Sequence, residues 1–167
     1  MNANTSSSTG FFSLPYFGKI TSGACLNKTQ VIKQIDVPVS LLHPMNEAHS
    51  TANSNKRITN SKLIPEKKQD YHSTDKQYYV LKMNGDHMQA SGILHNDLLI
   101  IEQCNTAKNN KIVIATIDNL ETVIKLFEQT NDLIILSSKN SDIKPMIFDP
   151  SRIKILGTLA AQMRSYE

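Results

Sequence analysis

From Tyr78 to the C-terminus, short runs of β-branched and large apolar residues alternate with Gly, Asn, Asp and Pro. This pattern restricts the fold more than any other feature. Tyr78–Met83, residues 97–101, Lys111–Ile117, residues 121–127, residues 133–136 and Ile153–Met163 all read as strands. Asp118-Asn119 suits a hairpin turn between two of them, and Asn131-Asp132 suits another. The expectation is a mainly β domain over residues 78–167, roughly 90 residues long. A domain of that size buries only about 60% of the surface its unfolded chain exposes, so an added interface, and hence oligomerisation, is expected from size alone.

The sequence before residue 78 has a different character. Residues 1–10 are almost all Asn, Ser, Thr and Ala, too poor in apolar surface to offset the entropy of ordering, and read as a disordered tail. Residues 11–44 combine an aromatic patch (Phe11, Phe12, Tyr16, Phe17), the small residues Thr21-Ser22-Gly23-Ala24, and the stretches Ile35-Asp36-Val37 and Leu41-Leu42. They read as an extended arm that docks elsewhere, with Asp36 capping a helical turn that tolerates Pro38. Residues 45–77 carry six Lys or Arg and four Asp or Glu but only Ile58, Leu63 and Ile64 as aliphatics beyond alanine, which marks a polar linker or insertion. Its mild positive balance is better read as a solvated charge run than as a nucleic-acid contact.

Composition narrows the function classes. The 167 residues are 40% apolar and 20% charged with a net charge of +3, which fits one small domain with polar extensions. No apolar run approaches the ~20 residues of a membrane span, and the start of the chain lacks a signal peptide's basic and apolar regions, so a cytoplasmic location without membrane contact is expected. Cys25 and Cys104 match no metal spacing and read as reduced thiols, so no disulfide, metal or cofactor is implied. A charge of +3 without a clustered basic stripe gives no reason to expect direct, sequence-specific DNA binding.

Asn84-Gly85-Asp86-His87-Met88 followed by Gly92-Ile93 and Asp97-Leu98-Leu99-Ile100-Ile101 reads G-D-x-M, then G-I, then D-L-L-I-I. This grammar resembles the nucleophile region of the LexA/UmuD family of self-cleaving serine peptidases, whose fold is shared in part with signal peptidases. Glu121-Thr122-Val123-Ile124-Lys125-Leu126 is similar to that family's T-V-K-[KR]-L strand, Asn140-Ser141 with Pro145 to its N-S-x-x-x-P turn, and Ile155-Leu156-Gly157-Thr158-Leu159 to its final strand. Upstream, Leu14-Pro15-Tyr16-Phe17 and Ile20-Thr21-Ser22-Gly23 resemble the short UmuD arm that contains the self-cleavage bond, here Ser22-Gly23. Ile35-Asp36-Val37 and Leu41-Leu42-His43-Pro44 resemble the segment before the UmuD core. The roughly 25 residues ahead of that bond are too few for the helix-turn-helix reader of a LexA-type repressor, so the expectation is UmuD-like.

Two positions depart from the family pattern. The serine nucleophile of G-D-x-M is replaced by His87, and the first lysine of T-V-K, the general base, by Ile124. A serine-lysine dyad needs a desolvated, neutral lysine to take the hydroxyl proton, and Ile124 has no lone pair. Lys125 is the adjacent substitute, but alternation along a strand points it away unless a β-bulge turns it inward. Ser91 lies four residues past the nucleophile position. His87 reads as a polar filler of a vacated pocket, and a metal site through Asp86, His87 and His95 is the alternative, although nothing fixes a ligand geometry. Gly85 and Gly92 suit turns with positive φ, and Asp97 suits a local cap into its strand. On this reading His87→Ser alone restores little, and only the double change with Ile124→Lys is a meaningful rescue.

The resemblance implies an SOS-response role: a catalytically inactive subunit that dimerises, binds a Y-family translesion polymerase subunit, and engages the RecA filament and the sliding clamp. The alternatives are an active autopeptidase cutting Ser22-Gly23 with altered residues, and an antagonist that forms a heterodimer with an intact relative. The strand Ile153–Met163 is the expected dimer contact.

Overall fold

The strands form where apolar residues recur with period two or fill a two-sided run, and they pair into one nine-stranded sheet of order β2-β1-β3-β4-β9-β5-β6-β7-β8. A computed structural model describes residues 10–21, 23–26, 28, 30–42, 76–140 and 142–166. In chain order the elements are β1 (Phe11–Ile20), β2 (Lys33–Pro38), β3 (Tyr78–Met83), β4 (Leu98–Glu102), β5 (Lys111–Ile117), β6 (Glu121–Gln129), β7 (Ile134–Ser137), β8 (Met146–Phe148) and β9 (Ile153–Met163). Three short 3-10 turns interrupt them, and the described residues contain no α-helix. The expected mainly β class is therefore observed. Among the described residues no helix is long and apolar enough to cross a membrane.

Six of the strands coincide with the sequence expectation to within two residues at either end. Asp118 and Asn119 have φ of 52° and 57°, the double left-handed geometry of a tight hairpin turn, and they join β5 to β6. Residues 11–42 differ from expectation. The extended segment docks on the domain's own sheet: β1 and β2 form an antiparallel hairpin, and β1 pairs in parallel with β3, Ile20 standing opposite Met83. Along β1, Leu14 and Tyr16 are buried with Val37, Val80 and Ile100, and beyond the register shift between Tyr16 and Lys19, Ile20 is buried with Tyr79, Leu81 and Met83, so the segment contributes to the core on both sides of the sheet. Asp36 lies within β2 opposite Ser13 and caps nothing; the turn Val39–Leu41 starts from Pro38 with no side-chain cap. Of the tail expected at 1–10 only Gly10, and of the linker expected at 45–77 only Lys76 and Gln77, are among the described residues.

β9 is the hinge of the sheet's architecture. Its first half pairs with β5 and its second half with β4, with a register shift in each ladder. Gly157 sits between the shifts, where a Cβ would stand 2.5 Å from Ile101 Cγ2 and 2.6 Å from the Glu102 carbonyl oxygen. The Leu156 carbonyl, beside the shift in the β5 ladder, accepts a hydrogen bond from the buried Tyr79 hydroxyl at 3.3 Å. The Lys28 ammonium lies 3.7 Å from the centre of the Tyr79 ring, which fastens the loop after β1 onto the core.

Candidate functional site

The loop between β3 and β4 is shaped by two glycines in the left-handed region, Gly85 at φ 117° and Gly92 at φ 83°, as the sequence led us to expect. The Met83 amide donates to the Asp97 carbonyl (2.8 Å) and the Asn96 amide to the Met83 carbonyl (2.9 Å), which closes the neck. Met88 and Ile93 are fully buried in the same cluster as Ile20 and Ile124. That packing sets the loop against β6 and puts His87 at the edge of the core.

His87 is partly buried, and its Nε2 is enclosed without a hydrogen-bond partner. Burial lowers its pKa, the positive charge of Lys125 lowers it further, and Asp86 opposes both. The imidazole is therefore neutral near pH 7. Lys125 is 5% exposed, and burial depresses its pKa from the ordinary lysine value. The Lys125 charge acts on His87 through the field, since a Coulomb interaction needs no contact. Alternation places the Lys125 Cβ on the face of Val123 and Phe127, opposite Ile124, with no register shift in the β5-β6 ladder. Alternation sets where Cβ points and not where four methylenes carry the ammonium. Ile124, where the motif resemblance puts the base, is a fully buried member of the core.

The cleavage-like segment lies beside the same strand. The Ala24 amide donates to the Thr21 carbonyl (3.2 Å) across a turn in which Gly23 has φ 87°. The Thr122 amide then donates to the Ala24 carbonyl (3.0 Å), and the Leu26 amide to Thr122 Oγ1 (3.0 Å). From the other side, Asn84 holds the entry to this turn: its amide donates to the Ile20 carbonyl (3.0 Å) and its Nδ2 to Thr21 Oγ1 (2.8 Å). Ser22 itself lies outside the described residues. The fold thus brings together the 21–26 segment, the loop carrying position 87, and β6 three residues before Lys125.

The alternative metal reading through Asp86, His87 and His95 finds His95 Nδ1 already accepting the Gly85 amide at 3.0 Å and Asp86 exposed. No group of three or more His, Cys, Asp or Glu is arranged for a metal among the described residues. The Ser91 hydroxyl, in the turn Gln89–Ser91, is buried without a partner.

A family profile described as Peptidase S24-like matches residues 44–160. The chain belongs to the S24 peptidase family. It is 41% identical over 93 residues to the LexA repressor of Clostridium novyi, covering 56% of this chain and 45% of the relative. It is 31% identical over 155 residues to the LexA repressor of Gluconobacter oxydans, covering 92% of this chain and 52% of the relative. The chain spans about half the length of these relatives.

In this S24 domain Asp97 has a larger part than the local cap expected of it. Its carboxylate does accept the Leu94 amide at 2.8 Å, but it is fully buried and also forms a two-pronged pair with Arg164, Nε to Oδ1 at 2.6 Å and a terminal nitrogen to Oδ2 at 2.7 Å. Sequence reasoning missed Arg164 because 67 residues separate the partners. Lys125 was in view from the sequence, a single lysine inside the apolar run Val123-Ile124-Lys125-Leu126-Phe127, but its burial was not. The Arg164 hydrogen bond, with smaller help from the Leu94 amide, holds the Asp97 pKa below the usual carboxylate range against its burial. A carboxylate depressed in the folded state contributes stability that is present above its unfolded pKa, about 3.9, and lost as pH falls through the lower folded value. Urea midpoints measured from pH 7 down to 2.5 should drop below pH 4, and Asp97→Asn should make that acid limb shallower. An unchanged limb in a folded Asn variant would contradict this assignment.

Proposed function

We propose that this S24 protein works by binding in the SOS response rather than by cutting itself, as a UmuD-like subunit that dimerises and supports a Y-family translesion polymerase. The observation that carries the reading is the imidazole at position 87. A neutral imidazole is a nucleophile, but its adduct with an amide carbonyl expels imidazole, the conjugate base of an acid of pKa near 6.5, far more readily than an amine, so the peptide bond re-forms. Lys125, buried in β6 with a depressed pKa, is on this reading a retained general base with no hydroxyl to act on. Incubation at alkaline pH, or with RecA, single-stranded DNA and a nucleotide analogue, should leave the chain at full length for both the wild type and His87→Ala. A wild-type fragment beginning at Gly23 that His87→Ala abolishes would overturn the reading. Purification from the host after DNA damage should bring down a polymerase subunit, RecA or the sliding clamp.

The dimer contact we propose is the second half of β9. Beyond Thr158 this strand pairs only with β4, so its other edge is open among the described residues and suits pairing with a second chain across a two-fold axis. Sedimentation at tens of micromolar should give a dimer, and a strictly monomeric species would count against it.

A second reading, an antagonist that joins an intact relative, is favoured by the exposure of Gly23, Ala24 and Cys25, which leaves the segment within reach of another active site. Mixing with a RecA-activated intact relative separates the two: cutting at Ser22-Gly23 supports the antagonist, and an untouched segment within a proven heterodimer leaves binding alone.

A further inference from the structure

Arg164, the first residue past β9, reaches back across the sheet to the loop that carries position 87. Three of its hydrogen bonds end on that loop: two on the Asp97 carboxylate, and one from a terminal nitrogen to the Gly92 carbonyl at 2.9 Å. Gln162 Nε2 donates to the same Gly92 carbonyl at 3.2 Å. Gly92 ends the Gln89–Ser91 turn in the left-handed conformation, and its carbonyl faces the end of β9. The loop is otherwise held at its neck by β3 and β4, at its base by the buried Met88 and Ile93, and at its arm side by Asn84. Arg164 is the anchor on the remaining flank. Two carboxylate oxygens and one carbonyl in a single array match the planar fork of a guanidinium, and an ammonium cannot serve all three.

We propose that Arg164 is a positioning residue, which locks the 84–97 loop in the arrangement that sets position 87 at the edge of the core, beside β6 and the turn at Thr21. This deepens the site reading above and rests on it. The link also places the control of the site at the end of the proposed dimer strand, so that the two share one side chain.

The test uses the full-length protein with Arg164→Gln and Arg164→Lys, read by amide hydrogen exchange and by NMR titration of His87. Exchange across residues 85–96 should rise about tenfold in both variants while the β5-β6 hairpin keeps its protection, and the His87 pKa should move up as its burial is relaxed. Full rescue by lysine, or wild-type exchange and titration in a folded glutamine variant, would overturn the proposal, as would a uniform rise over the whole chain. Should the Arg164 variants fail to fold, Gln162→Ala removes only the second donor to Gly92 and should shift the same two readouts in the same direction by roughly two- to threefold in exchange. The cleavage arm is His87→Ser against His87→Ser/Arg164→Lys, where the second should cut at least tenfold more slowly. An uncut His87→Ser protein whose loop still responds to Arg164 supports the positioning role and overturns the reading of Lys125 as a base.

Discussion

His87→Ser should by itself turn this chain into a self-cleaving protein, cutting Ser22-Gly23 at least ~10²-fold faster than the wild type, the lower end of what a positioned base contributes. The serine oxygen would attack the Ser22 carbonyl carbon, Lys125 would take the hydroxyl proton and pass it to the Gly23 nitrogen as the peptide bond breaks, and water, deprotonated by the same lysine, would then hydrolyse the ester and free both fragments. The substrate segment is already held against β6 through Thr122, so no bimolecular encounter is required. Because burial depresses the Lys125 pKa, its neutral fraction at a given pH exceeds that of a solvated lysine, and the rate should climb as pH rises through that depressed value and then level off. Gel densitometry from pH 6 to 10 measures both. His87→Ser/Lys125→Ala should fall back to the wild-type level. The double change that the motif resemblance suggests, His87→Ser with Ile124→Lys, should instead damage the fold, because Ile124 is fully buried among Ile20, Met88 and Ile93 and an unpaired ammonium there is strongly disfavoured. A His87→Ser protein that stays intact across the pH range while the double variant cuts would show that the base position is 124 after all.

Gly157→Ala should cost about 3 kcal/mol, the upper end of the usual range for forcing atoms into a packed interior. The added Cβ would meet the Ile101 methyl at 2.5 Å and the Glu102 carbonyl oxygen at 2.6 Å, and the second of these is backbone that can withdraw only by opening the β4-β9 ladder. The Tyr79 hydroxyl, 3.3 Å from the same point, is tied to the Leu156 carbonyl and gives little room. Thermal melts should show a fall of roughly 10 °C. Gly92→Ala is the matched control: nothing lies within 4 Å of its Cβ, so only the φ of 83° is penalised, by about 1 kcal/mol. Equal losses in the two variants would mean that backbone conformation, and not the crowding at β9, dominates at Gly157.

The sequence alone determined whatever rests on neighbours in the chain. Strand identity follows from period-two burial and β-branched runs, so β3, β5 and β9 could be read with their ends in place. Asp118-Asn119, Gly85 and Gly92 announced their positive φ because few other residues accept it. The motif order also pointed to the family, and His87 stood out as a departure from it. Only the tertiary structure decided what depends on distant partners. β1 and β2 belong to the sheet because β1 finds β3 across some sixty intervening residues, which no local pattern can announce. Lys125 is buried in β6 because the packing of the sheet around it encloses its stem, and that burial depresses its pKa, which the sequence of one strand does not settle. Asp97 looked like a local cap until the fold brought Arg164 to it, since a buried carboxylate must find its charge partner in space and its sequence neighbours offered only an amide.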